Sequence, residues 1–149
     1  MRSGTEPVPS IVGFAMASRL AREALVSYDR IAALRDSLEA SIQRRVHDTS
    51  INGRSQPRLG NTTNIAFHGV PADELVRALD AEGICTSAGA ACHSGSAEPS
   101  STMKAMGLPL RVAMGAVRFS LSRFSTKAEI EETGEVVAQL AQRRLQHHS

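Results

Sequence analysis

The chain is predicted to be an α+β protein, with one sheet of about three strands covered by helices and a long helical segment at its N-terminal end. Three observations predict this. Ile31, Leu34, Leu38, Ile42 and Val46 recur at intervals of three and four, the stripe of an amphipathic helix. Two alternating stretches follow, "TNIAFHG" at 63–69 and "AVRFSLS" at 116–122. Finally, "TKAE" at 126–129 is a capping box that opens a last apolar-periodic run.

Residues 8–47 read as helical. Pro9 suits a first helical turn. Small residues (Ala15, Ala17, Ser18, Ala21) would let that helix pack closely against a neighbour. "NGRSQPRLGNT" at 52–62 is a polar turn region. In the strand that follows, Ile65 and Phe67 share one face, and Asn64, Ala66 and His68 the other. Pro71 to Glu82 is predicted helical, with Leu75, Val76 and Leu79 inward and Gly83 ending it. "GICTS" at 83–87 predicts a short strand through Ile84 and Cys85, with Cys85 buried.

A glycine- and serine-rich loop occupies about residues 88–98. Ser100 to Met106 predicts a short helix stopped by Gly107 before Pro109, and residues 110–115 add a further turn. In the last strand Val117, Phe119 and Leu121 face the core, while Arg118, Ser120 and Ser122 face away. Ile130, Val137, Leu140 and Ala141 give the C-terminal helix its inner side. No repeat or linker divides residues 1–149, so one unit is expected. So small a sheet under so many helices is expected to leave surface for another domain or subunit.

Composition excludes several classes. A formal charge of +2, one Tyr and four Phe argue against a nucleic-acid partner. Arg44–Arg45 and Arg143–Arg144 read as solvated helix faces. The longest apolar stretch, Ile11 to Ala17, is far too short to span a membrane, and the first residues lack the apolar core of a secretory signal. A cytoplasmic protein without a membrane partner is the expectation. Two cysteines make no disulfide framework there.

The chemistry concentrates at "SAGAACHSGS", residues 87–96. Cys92 sits among Ser, Gly and Ala, with no bulky apolar residue to bury it. Three readings are open. Cys85, Cys92, His93 and His68 would make a zinc site, but their spacing fits no usual structural pattern, and no metal is expected. A cysteine protease would pair Cys92 with a distant base such as His68. A thiolate on a flexible loop would instead collect a group in one place and deliver it in another. His93, if protonated and near, would lower the thiol pKa; otherwise it is a polar loop residue. Arg118 stands on an ordered strand yet points off the core face. It is either half of a structural ion pair or a bidentate grip on a carboxylate.

"TSAGAACHSGSAEPSSTMKAMG" followed by "AVRFSLSRFSTKAEI" resembles the C-terminal part of the pyridoxal-phosphate cysteine desulfurases. These are NifS/IscS-like members of the class V aminotransferase family, with selenocysteine lyases as close relatives. "RSGTEPVPSIVGFAMA" resembles the segment after their cofactor-lysine loop, and "NTTNIAFHGVPADELVRALDAEGICTSAG" their small domain. The resemblance covers essentially the whole chain in order. It implies the small C-terminal domain of a fold-type-I pyridoxal-phosphate enzyme, joined through segment 8–47 to a large domain.

By this resemblance, Cys92 is the thiol that takes sulfur from L-cysteine, leaving alanine and a persulfide for a sulfur-acceptor protein, as in iron–sulfur cluster assembly. Arg118 is the substrate-carboxylate residue. Thr5 binds the cofactor phosphate of the partner subunit in a homodimer. The chemistry also needs a Schiff-base lysine. The chain has two lysines, Lys104 and Lys127, and neither has the Ser and His neighbours of the family's cofactor lysine. The implied large domain would carry that lysine before Met1. The chain is thus expected to be roughly the last third of an enzyme, binding no pyridoxal phosphate and inactive alone. The alternatives are a selenocysteine lyase fragment, a non-enzymatic sulfur-carrier or partner-binding module, and a remnant without function.

Overall fold

The computed structural model describes residues 4–88 and 100–147. Among these, the elements run α1 (Val8–Ala24), a 3-10 turn (Leu25–Ser27), α2 (Tyr28–Arg45), β1 (Thr49–Ile51), β2 (Thr62–Phe67), α3 (Ala72–Ala81), β3 (Ser87–Ala88), α4 (Ser101–Ala105), α5 (Leu110–Met114), β4 (Ala116–Ser120) and α6 (Lys127–His147). The four strands form one antiparallel sheet in the order β1-β2-β4-β3. No helix among the described residues is long and apolar enough to cross a membrane.

Strand alternation sorts the side chains as expected. Ile65, Phe67, Val117 and Phe119 are buried on one face of the sheet, against Leu34, Leu38 and Ile42 of α2, Leu75 and Leu79 of α3, and Val137 and Ala141 of α6. Burying a side chain of this size contributes about 1.5–3 kcal/mol. Gly134 lets α6 close on α2, since a Cβ there would run into the Ser41 hydroxyl. On the opposite face α4 and α5 cover only one end, where Met103 and Ala113 pack on Ala116.

The helix ends follow their local chemistry. Thr126 and Glu129 close the capping box: the Thr126 amide donates to Glu129 Oε2 at 2.7 Å, and the Glu129 amide to Thr126 Oγ1 at 3.3 Å. The Thr126 amide, and after it the Thr126 hydroxyl that donates to the same Oε2 at 2.9 Å, hold the Glu129 carboxyl below its ordinary value. Gly83 takes φ +78°, and α3 ends with two bonds running back into the helix. They are Gly83 N to Asp80 O at 2.9 Å and Ile84 N to Leu79 O at 2.8 Å.

That helix end corrects the strand predicted at Ile84 and Cys85. The Ile84 amide is spent on the helix, so pairing with β4 starts only at Ser87, and Cys85 is exposed rather than buried. The sheet also has four strands, not about three. The extra one, Thr49–Ile51, is too short to show an alternation of its own and borrows its register from β2.

Between α2 and the 52–62 segment lies a buried ion cluster. Arg58 forks onto Glu39 with bonds of 2.6 and 2.9 Å, and Arg35 Nε lies 3.8 Å from the same carboxylate. The hydrogen bond to Glu39 leads in raising the Arg58 pKa above its ordinary value, against a smaller lowering by burial.

The predicted helical segment 8–47 is two helices joined by the 3-10 turn, and no residue of α1 is buried. Its small residues meet no close neighbour that buries them. Phe14, Val12 and Ile11 stand 76%, 62% and 51% exposed, an apolar surface of the kind expected to face another domain or subunit.

Candidate substrate-carboxylate site

The register of the sheet builds one polar row across all four strands. Asn52, just past β1, donates its backbone amide to Asn64 of β2 at 2.9 Å, and Asn64 pairs with Arg118 of β4. Arg118 in turn pairs with Ser87 of β3. All four lie on the face away from the main core, because their neighbours Ile65, Val117 and Phe119 point into it. Asn52 Nδ2 donates to Asn64 Oδ1 at 2.6 Å, and Arg118 Nη2 donates to Ser87 Oγ at 3.2 Å.

Arg118 is half-buried and meets no carboxylate among the described residues; its bond there is to a hydroxyl. A guanidinium offers five donors in a planar fork and is matched in geometry by a carboxylate. Asn64 and Ser87 extend the polar row. The alternation of β2 already put Asn64 on this face, but only the late start of β3 reveals Ser87.

The other candidate residues are placed less fully. Thr5 is exposed and precedes α1. Cys92 and His93 lie outside the described residues, as does most of the 88–98 loop. Of the imagined zinc ligands, His68 is engaged with Asp48 and Ser50, and Cys85 is exposed. Among the described residues no three His, Cys, Asp or Glu side chains gather around a metal position. A groove lined by Ile84, Cys85, Phe119, Leu121 and Phe124 is separate from the polar row and does not contain Arg118.

Lys127 opens α6, on the other face of the sheet, and lies 3.6 Å from Glu131; Lys104 is exposed on the short α4. The polar row of Asn52, Asn64, Arg118 and Ser87 holds no lysine and so does not fit the covalent hold on pyridoxal phosphate.

Comparison with known proteins decides the family. The model of the aminotransferase class-V family matches residues 1–133. This chain belongs to the class-V aminotransferase family. Cysteine desulfurase 2 of Trichormus variabilis is 41% identical over 142 residues, 95% of this chain and 36% of the relative. Cysteine desulfurase NifS of Azotobacter vinelandii is 42% identical over 144 residues, 93% of this chain and again 36% of the relative. A NifS-like protein of Rickettsia africae superposes with a TM-score of 0.80 at 29% identity, covering 95% of this chain and 36% of that one. The chain is a cysteine desulfurase-family segment of α+β fold, spanning about 36% of the length of these relatives. Pyridoxal phosphate is the cofactor of full-length enzymes in this family.

Proposed function

We propose that this chain is the C-terminal small domain of a cysteine desulfurase, residues 1–149 forming one unit that works with a large domain. The observation that carries the reading is Arg118, half-buried in the polar row with a hydroxyl rather than a carboxylate as its partner among the described residues. In this reading its fork holds the carboxylate of L-cysteine. Pyridoxal phosphate, held by the large domain, would supply the electron sink.

The sulfur step belongs to this chain. Cys92 is four residues beyond Ala88, which pairs with Val117 beside Arg118. Four residues of chain reach at most about 14 Å. The Cys92 thiolate attacks the substrate sulfur; a sulfur–sulfur bond forms as the substrate's carbon–sulfur bond breaks with its electron pair left on carbon. A proton then completes alanine, and the persulfide on Cys92 passes its outer sulfur to an acceptor protein. His93, next in sequence, supports the thiolate if it is protonated. Thr5 is assigned to the cofactor phosphate of a partner subunit in a homodimer, and the apolar face of α1 to the contact with the large domain. The cytoplasm is the setting that keeps such a thiol reduced.

The test compares two proteins. The chain alone, incubated with pyridoxal phosphate and L-cysteine, releases no alanine beyond that of free cofactor. The same chain, replacing the matching 36% of Trichormus variabilis cysteine desulfurase 2, releases alanine that the Cys92→Ala variant does not. Release by the chain alone that depends on Cys92 would contradict the division of labour. Turnover of selenocysteine in preference to cysteine by the chimera would favour the selenocysteine lyase alternative.

A further inference from the structure

The free edge of the sheet carries a second constellation. Asp48 and Ser50 lie two residues apart on one face of the β1 segment, and His68 follows β2 opposite Asp48, whose carbonyl accepts the His68 amide at 2.9 Å. His68 Nδ1 lies 3.0 Å from Asp48 Oδ1, and its Nε2 lies 2.9 Å from Ser50 Oγ. The tautomer follows from the partners. A carboxylate accepts, so Nδ1 carries the proton and Nε2 offers its lone pair to the Ser50 hydroxyl.

Arg111 of α5 also approaches, with Nη2 at 3.4 Å from His68 Nδ1 and 3.8 Å from Asp48 Oδ2. A guanidinium only donates, and Nδ1 already gives its proton to Asp48. Arg111 therefore belongs to the second oxygen of Asp48, where it helps hold that carboxylate on the ring. The imidazole side chain is 17% exposed, fixed between its partners, while Asp48 is 60% exposed.

We propose that Asp48, His68 and Ser50 form a serine-nucleophile site that cleaves short-chain acyl esters. Base within reach of nucleophile, and orienting carboxylate within reach of base, is the geometry that activates a serine hydroxyl on unrelated folds. The ladder bonds at 48/68 and 52/64 alternate with the pair 51/65, so the Ile51 amide points out from the free edge of β1. It follows the nucleophile directly, the position from which an amide can donate to a developing oxyanion.

The steps balance with water as co-reactant. Ser50 Oγ attacks the acyl carbonyl while its proton passes to His68 Nε2; the ester bond breaks, and the leaving alcohol takes that proton. Water then attacks the acyl–Ser50, giving its proton to Nε2, and the acid departs as Ser50 Oγ recovers the proton. Asp48 is a positioning residue that holds the ring. Its exposure lets water weaken that hold, so turnover is expected to be slow.

The test uses the full chain with its thiols blocked by N-ethylmaleimide. A fluorophosphonate probe is added, the labelled residue is located by mass spectrometry, and hydrolysis of 4-nitrophenyl butyrate is followed in parallel. Labelling at Ser50 ahead of every other serine is expected. His68→Ala should slow it about a hundredfold, and Asp48→Asn should slow it with partial recovery in Asp48→Glu. Ester hydrolysis should fall with the labelling in each. Thermal unfolding of each variant separates lost chemistry from lost fold. Absence of label at Ser50 in the wild-type chain would overturn the proposal. So would labelling that His68→Ala leaves unchanged, and the three residues would then be a clip for the edge strand.

Discussion

Arg118 Nη2 donates to the Ser87 hydroxyl at 3.2 Å, joining the two-residue edge strand β3 to the side chain assigned to the substrate. Ser87 is also the last residue but one before the segment carrying Cys92 leaves the described chain. One hydrogen bond thus links Arg118, the proposed carboxylate grip, to the strand that precedes the segment carrying Cys92. In the chimera, Arg118→Ala should raise KM for L-cysteine about 10–100-fold, the worth of a charge-assisted bond. Ser87→Ala should have a smaller effect in the same direction. An unchanged KM in Arg118→Ala would remove Arg118 from the site.

The Glu39 carboxylate side chain is 4% exposed and depends on Arg58 for its two short bonds. Arg58→Met leaves that charge buried with Arg35, at 3.8 Å, as its remaining cation among the described residues. The variant should lose about 3 kcal/mol, read from urea unfolding, because the stranded charge keeps its desolvation cost. Replacing both Glu39 and Arg58 by apolar residues should cost far less. Equal losses in the single and double variants would mean the pair itself, rather than its breaking, carries the stability.

Gly115 makes the joint between α5 and β4. Its carbonyl accepts the Phe67 amide at 3.0 Å, and a Cβ at Gly115 would collide with the Phe67 backbone. Its φ of −93° is open to any residue, so the constraint is space rather than conformation. Gly115→Ala should destabilise the chain by about 1–3 kcal/mol, seen as a lower urea midpoint, because the backbone must part to admit the methyl group. A midpoint equal to wild type would show that β2 and α5 yield without cost.

The capping box gives a pH signature. The Glu129 pKa is lowered in the folded chain by the Thr126 amide and hydroxyl. Its contribution is therefore present above the unfolded value and is lost as pH falls through the lower folded one. Hydrogen exchange at the Thr126 amide, corrected for intrinsic rate, should stay slow down to the ordinary carboxylate value of about 4.3 and quicken only as the pH falls below it. In Glu129→Gln, whose amide oxygen accepts the same bond without titrating, it should be insensitive to pH. A pH-independent wild type would dismiss the box as the cause.

The long elements were legible because each carries a periodic pattern with its own stop signal. The α2 stripe, the alternation around Ile65 and Val117, and the Thr126–Glu129 box all stand in the structure. Short strands were not legible. Ser87–Ala88 and Thr49–Ile51 are too brief for alternation and exist because β4 and β2 offer them a ladder. Cys85 was misplaced for a related reason: an apolar neighbour suggested a strand where the helix-ending bond of Ile84 forbids one. Of the site, Arg118 was visible as a charge out of step with its strand. Ser87, Asn52 and the Asp48–His68–Ser50 set depend on pairing across strands, which spacing in one strand does not show.

The central claim is that sulfur from L-cysteine comes to rest on Cys92. The most direct measurement is mass spectrometry of the chimera after one turnover with L-cysteine, with free thiols and persulfides trapped by alkylation. The account predicts one added sulfur on the peptide carrying Cys92, absent in Cys92→Ala, and none on Cys85, exposed as that thiol is. Sulfur on Cys85 instead, or alanine release with no persulfide on Cys92, would contradict it.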